Sequence, residues 1–472
     1  MNTHEDERQT FKCTGICSTC GRCQNGHNMA GAAQRKTRLL HYPADFVPTT
    51  GQEGYGIAFD VGTTTLVGIL WNRETGKQVG VDAQTNPQNK HGLDVISRIT
   101  YCQGDPEKLA EMQGLVTGCM QTVAEKLCKI QGISTSQIQV CTICGNTTMS
   151  HIIAGYDPKL LAVSPFTPSY TGTLVFKAAK LGLSFAADAS VTLVPNIASH
   201  VGGDITTGVV ASGMQTANGL IILIDIGTNG EIVMSKEGVG YACSTAAGPA
   251  FEGATIYHGM RAAEGAIEAV QIQEDVTIKT IGDAAAVGIC GSGLIQAVGE
   301  MVKNKVVNGR GKMATQEELE AKGLPAAVCQ RCRTGEMGRE FVLSYGKDGG
   351  TDVVITQKDI REVQLAKGAI AAGIVCLLEE VNATVADIEQ LYIAGAFGSF
   401  IDKQSAVDMG LLPNIDLERL VSVGNTAGVG CAMALMNQED LRRMEEASRT
   451  IQHVELSTSP TFQANYMKNM SF

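Results

Sequence analysis

Aromatic residues are scarce in this sequence, 5% of 472 positions with a single tryptophan, while glycine is abundant at 54 residues. That balance suits an α/β protein with many tight turns. No apolar run approaches the roughly 18 residues that a membrane-spanning helix needs, so no membrane span is expected. The N-terminus, MNTHEDERQTFKC, is polar and lacks the apolar core of a signal peptide, which predicts a cytoplasmic protein. Positive charge is in deficit: 37 Lys and Arg stand against 48 Asp and Glu, for a net charge of −11 and a pI near 5.3. This argues against nucleic acid or an anionic membrane as the main partner and leaves a protein partner or a metal-bound nucleotide. The pattern Gly-x-x-x-x-Gly-Lys-Ser/Thr is also missing, which excludes a P-loop.

Two segments a domain's length apart share one pattern, Asp60-Val-Gly-Thr-Thr-Thr65 and Asp225-Ile-Gly-Thr-Asn-Gly230. Each follows a buried-strand signal, Gly56-Ile-Ala-Phe59 and Leu220-Ile-Ile-Leu-Ile224, and each leads into a further apolar stretch, Leu66 to Trp71 and Glu231 to Met234. Strand, Asp-x-Gly-Thr turn and strand make a β-hairpin with a polar tip. Glycine lets backbone N–H groups approach a polyphosphate, and the threonine hydroxyls add donors. Gly62, Thr63, Thr64 and Thr65, with Gly227, Thr228, Asn229 and Gly230, are therefore candidate phosphate contacts. Asp60 and Asp225, at strand ends, are placed to hold Mg²⁺ through water. Ordinary glycine turns are the plainer account of one such hairpin, but a matched pair points to a duplicated domain gripping one nucleotide between its halves. Late in the chain, Ile393-Ala-Gly-Ala-Phe-Gly398 reads as a strand ending in a glycine pair, with Gly395 and Gly398 able to sit flat against a purine.

Residues 1–50 read as a separate unit, carrying Cys13, Cys17, Cys20 and Cys23 and too poor in apolar residues to build a core without a metal. Residues 51–218 are expected to form a first α/β lobe, with strands at 56–60, 65–71 and 138–144 and a helix from Glu107 to Gln131. Residues 219–425 form a second. Thr356-Gln-Lys-Asp359 has the form of a capping box and predicts a helix to about Glu380, with Val363, Ala366, Ile370 and Ile374 buried. The tail, 426–472, is expected to be helical from Gly424-Asn-Thr-Ala-Gly428 to about Ala447 and to return to the first lobe.

The order of the two hairpins and the late Gly-Ala-Phe-Gly turn resembles the superfamily of sugar and acetate kinases, heat-shock chaperones and actin. Closer matches are Gly145-Asn-Thr-Thr-Met149, Pro195-Asn-Ile-Ala-Ser-His-Val-Gly-Gly-Asp204, Ser244-Thr-Ala-Ala-Gly-Pro-Ala-Phe-Glu-Gly253, Gly288-Ile-Cys-Gly-Ser-Gly293 and Gln364-Leu-Ala-Lys367. Over about residues 55–450 these resemble the ATP-dependent reductive activators of corrinoid proteins. The resemblance implies a two-lobed actin-like ATPase fold with an N-terminal iron–sulfur segment. It also implies one-electron reduction of a corrinoid protein from Co(II) to Co(I), driven by ATP, with a low-potential electron donor protein as second partner and often a homodimer. By the same resemblance Asp60 and Asp225 sit beside Mg²⁺, the hairpin tips touch phosphates, and Gly395, Gly398 and Gly248 face the nucleotide. Glu231 and Asp204 are the acidic residues near the expected cleft that could orient the attacking water, against a plain reading as capping or solvated carboxylates.

Fifteen cysteines is a high, odd count, and without an export signal metal or redox use is expected in place of disulfides. Related activators begin with a ferredoxin domain of C-x₄-C-x₂-C…C spacing that holds [2Fe–2S]. Here Cys13, Cys17, Cys20 and Cys23 are compressed to C-x₃-C-x₂-C-x₂-C. A [4Fe–4S] cluster is the first choice, with structural zinc as the bland alternative. Cys141 and Cys144 fall on one strand and point to opposite faces as small buried residues. Cys329 and Cys332 lie in a loop-like region, as a metal or redox pair or as a surface pair without a role. Cys290 reads as packed in a glycine-rich turn and His200 as a satisfied loop histidine. Two rivals share the hairpins: an activator of another iron–sulfur enzyme, and a zinc-binding chaperone-like assembly ATPase without electron transfer.

Overall fold

The computed structural model describes residues 40–346, 350–395 and 398–472. Cys13, Cys17, Cys20 and Cys23 lie outside the described residues, as do Ala396 and Phe397 between the two glycines of the late turn.

Two six-stranded sheets carry the architecture. In the first, β1 (Tyr55–Val61), β2 (Thr65–Asn72) and β3 (Lys77–Thr85) form an antiparallel meander. The meander continues in parallel through β4 (Ile138–Gly145) to β6 (Ser190–Leu193), with β5 (Leu174–Lys177) at the edge. The second sheet repeats the plan. β7 (Leu220–Ile226), β8 (Gly230–Lys236) and β9 (Val239–Thr245) form the meander, strands Ile388–Ala394 and Leu420–Gly424 extend it in parallel, and Gln452–His453 closes the far edge. β1 and β7 are central in their sheets. Both faces of a central strand are covered, and so both read as near-continuous apolar runs, with Ile57, Ala58 and Phe59 and Ile222 and Ile224 fully buried.

The helix Pro106–Gln131 covers β2 and β3, and its N-cap Asp105 accepts from the amides of Glu107 and Lys108. Thr356 and Asp359 form the expected capping box of helix Gln357–Glu380, whose Val363, Ala366, Ile370 and Ile374 are all buried. Tyr42 and Phe46, at the end of the leader, pack against Trp71, with ring centroids 5.4 and 6.1 Å away. The tail differs from expectation. Its helix stops at Met436, and Asn437 takes an extended backbone and caps a second helix, Gln438–Thr450, by accepting from the Glu439 amide. A short polar side chain that competes for backbone N–H groups is a helix starter, which is why one expected helix becomes two.

The cysteine pairs are core residues. Cys141 and Cys144 are each 1% exposed and lie in the hydrophobic clusters on opposite faces of the first sheet. Cys329 and Cys332 are not in a surface loop. They end a one-turn helix and begin a strand, both buried within the second-lobe core, where desolvation pushes the Cys332 thiol up to about 12. Cys290 is likewise buried, at the start of helix Gly291–Lys303.

Helices Gly203–Ser212 and Thr426–Met436 cross between the two sheets, and small residues set their distance. A side chain at Gly430 would place its first carbon 2.2 Å from the Thr207 carbonyl oxygen, so the backbones touch there. Gly430→Ala should therefore push the two helices apart and lower stability by about 1–3 kcal/mol, read as a fall in the denaturant midpoint.

Candidate functional site

The hairpin tips are built alike and supported differently. In the first, the Gly62 amide donates to the Thr65 carbonyl at 3.0 Å, and a Cβ on Gly62 would sit 2.9 Å from that oxygen. Fully buried Asn86 ties the tip down: its amide donates to the Thr64 carbonyl, and its side chain donates to the Gly62 carbonyl, both at 3.0 Å. From below, Asn146 donates to the Thr63 hydroxyl at 2.9 Å while capping helix Thr147–Ala154. Arg98, also fully buried, donates to the Thr63 carbonyl and to Gln88 and Asn89. Thr63 is therefore turned into the structure, whereas the Thr64 hydroxyl faces the cleft. In the second tip the Gly227 amide donates to the Asn229 carbonyl at 2.9 Å, and Thr245 donates to the Gly230 carbonyl at 3.0 Å.

The two tips meet. The Thr64 and Thr228 hydroxyl oxygens are 3.4 Å apart, and one carboxylate joins them: Glu252 accepts from Thr64 at 2.6 Å and from Thr228 at 2.9 Å. Gly395 adopts φ +98°, and a side chain on it would run into the Ile226 carbonyl and the Asp225 carboxylate, so the late turn closes directly on the second hairpin. Gly398 packs back on Ile393 of its own strand. Gly248 has φ +74° with open space where a side chain would start, in the turn leading from β9 to Glu252.

Behind the tips lie carboxylates in a poorly solvated seam. Asp60 ends β1 and accepts from Asn425 at 2.8 Å, and Asn425 also caps helix Thr426–Met436. Burial pushes the Asp60 carboxyl up to about 6 despite that hydrogen bond. Asp225 rises to about 7 through burial and the nearby charges of Asp60 and Glu252. Asp204, in the first turn of helix Gly203–Ser212, rises to about 8 through burial and the charges of Asp225 and Asp60. Glu231, paired across the second hairpin with Asp225, is driven well above the usual range by burial and by Asp204 and Asp225. Such mutual repulsion is what a divalent cation relieves. Among the described residues no three His, Cys, Asp or Glu side chains are arranged to hold a metal ion directly. The crowded carboxylates suit a divalent cation by their charge.

Glu252, Asn425, Asn86, Asn146 and Arg98 were not picked out as site residues from the sequence, although Glu252 and Asn146 lie within family-like segments and Asn425 within Gly424-Asn-Thr-Ala-Gly428. His200 is half-buried beside Phe166, with ring centroids 5.4 Å apart, and burial lowers its pKa.

Two lobes of matched topology, joined at paired Asp-x-Gly-Thr tips, define an ATPase domain of the actin-like class. Residues 219–472 match the C-terminal, ASKHA domain of RACo, and residues 55–217 match the RACo middle region. The corrinoid activation enzyme RamQ of Eubacterium limosum is 35% identical over 434 residues, 91% of this chain and 72% of that one. The [Co(II) methylated amine-specific corrinoid protein] reductase of Methanosarcina barkeri is 24% identical over 89% of this chain and 77% of its own. The solved structure of a reductive activator for corrinoid, iron–sulfur protein superimposes with a TM-score of 0.81 at 35% identity, over 90% of this chain and 67% of that one. The chain belongs to the RACo family of corrinoid reductive activators. No helix among the described residues is long and apolar enough to cross a membrane.

The seam carboxylates set a pH dependence. A carboxyl whose folded pKa lies above its unfolded 3.8 binds its proton more tightly in the folded chain. The fold is then favoured at low pH and loses that advantage as pH rises toward about 8. The ligand-free chain should lose on the order of 1–3 kcal/mol between about pH 5 and pH 8, after screening by the open side of the cleft. Thermal melts across that range should show the loss, and Asp204→Asn should flatten it.

Proposed function

We propose that this chain activates a corrinoid protein reductively, returning its cobalt from Co(II) to Co(I) by one electron in a step driven by ATP hydrolysis. The observation that carries this reading is the meeting of Thr64 and Thr228, one from each lobe, at a single anion-sized point in a chain of this family. A ligand that replaces that contact touches both lobes at once, and its hydrolysis changes what holds them together.

The residues take distinct roles. The amides of the two tips and the hydroxyls of Thr64 and Thr228 bind the phosphates, and Asn86, Asn146 and Arg98 keep the first tip in place. Asp60 and Asp225 hold the waters of Mg²⁺. Asp204 and Glu231 are the two carboxylates able to orient the attacking water, and Gly395 and Gly398 leave room for the adenosine. Bound Mg²⁺–ATP supplies the driving force, and an iron–sulfur cluster on Cys13, Cys17, Cys20 and Cys23 supplies a one-electron carrier. The compressed spacing, four cysteines within eleven residues able to wrap one cluster, supports [4Fe–4S]. A low-potential donor protein loads the carrier, and the corrinoid protein docks as acceptor in a cytoplasmic complex, with a homodimer as the working assembly.

Two measurements check this. Asp225→Asn should lower the ATPase turnover about 100-fold, with the fold intact by circular dichroism. Anaerobically reconstituted protein should contain iron and sulfide and should convert Co(II) corrinoid protein to Co(I) with ATP and a strong reductant. Cys20→Ser should abolish the cluster signal in electron paramagnetic resonance and the reduction while ATP hydrolysis persists. Zinc in place of iron, or no cobalt reduction by loaded protein, would sink the redox reading.

A further inference from the structure

Among the described residues, Glu252 is the one carboxylate that bonds both hairpin tips, and it does so from a rigid base. It sits in the turn Pro249–Gly253, where the Glu252 amide donates to the Pro249 carbonyl at 3.2 Å and the Gly253 amide to the Ala250 carbonyl at 2.9 Å. Ala250 and Phe251 are buried in the second-lobe core. Gly253, at φ +81°, is pressed against Gly259 and Met260 so closely that a side chain on either glycine would meet backbone. The turn is thus fixed to the second lobe, and its one long polar side chain reaches across to the first.

What it does there is chemically specific. A carboxylate is an acceptor-only anion with two oxygens on one carbon, the same donor demand as one edge of a phosphoryl group. Its oxygens take the hydroxyls of Thr64 and Thr228 at 2.6 and 2.9 Å. The Gly227 backbone stands beside the oxygen bound to Thr228, with a Cβ on Gly227 falling 3.9 Å from it. Next to Glu252 lies a cavity of about 160 Å³ bordered by Thr64, Asn89, Leu93, Met260 and Arg261. The Arg261 guanidinium, already bonded to Thr85 of the first lobe, offers a displaced carboxylate a cationic neighbour.

We propose that Glu252 is an internal stand-in for the nucleotide's terminal phosphate: it latches the two tips in the ligand-free chain and is displaced toward Arg261 when a polyphosphate enters. This rests on reading the tips as the phosphate site. It makes Glu252 a positioning and specificity residue. A nucleotide whose phosphates reach the tips must compete with it, whereas one too short to reach them does not. Its position in the segment Ser244–Gly253 gives that segment a task beyond the nucleotide contact expected of Gly248.

Calorimetric titration of the full chain with ATP and with AMP, each with Mg²⁺, tests the proposal. Glu252→Gln removes the charge at nearly constant shape, so ATP should bind about tenfold more tightly while AMP affinity stays unchanged. Glu252→Asp, one methylene shorter and unable to span both hydroxyls, should shift ATP affinity in the same direction by less. ATP affinity that is unchanged or weaker in both variants overturns the latch while leaving the phosphate site standing. Absence of ATP binding by the wild-type chain overturns the phosphate reading and the latch together.

Discussion

Four carboxylates brought into one poorly solvated seam are the constraint on which the rest depends. Asp60 and Asp225 end the central strands of the two sheets, Asp204 opens the helix between them, and Glu231 faces Asp225 across its hairpin. Burial raises the proton affinity of all four, and the charges of Asp60, Asp225 and Asp204 raise that of others in the set, so the seam opposes its own ionisation. A fold tolerates such crowding only where rigid elements impose it. Here β1 and β4 run side by side with Asp60 level with Cys144, and β7 lies against Ile388–Ala394 with Asp225 level with Ala394.

The segments that mark the family surround this seam and hold it in shape. Asn146 caps one helix with its oxygen and steadies Thr63 with its amide, so a single side chain couples helix Thr147–Ala154 to the first tip. Asn425 does the same on the far side, capping helix Thr426–Met436 while donating to Asp60. Asn196 accepts from the Gly203 amide and so sets the start of the helix that carries Asp204. Asn146 and Asn425 are both helix caps, so each ties the first hairpin directly to a helix and not to a loop.

Much of this was legible in the chain because it depends on local chemistry. Alternation of apolar strand, Asp-x-Gly-Thr and apolar strand marks both hairpins. Thr356 with Asp359 marks the start of a long helix. Other features were hidden because they exist only after folding. Glu252 looks like any acidic residue beside a glycine until the two tips approach it from opposite lobes. Nothing in the sequence around Arg98 marks it for the interior, yet it is fully buried and donates to the Thr63 carbonyl. Nothing local separates Thr63, turned inward, from Thr64, turned to the cleft. Cys329 and Cys332 have the spacing of a metal pair, but the second-lobe core encloses them. Asn437 breaks the tail helix because its side chain caps the next one.

Hydrogen–deuterium exchange with and without Mg²⁺–ATP addresses the two-sided grip most directly. If one nucleotide is held between the lobes, the amides of residues 62–65 and of residues 227–230 should become protected together, at the same nucleotide concentration. Protection confined to one tip, or to neither, would contradict the two-lobed grip on which the coupling rests.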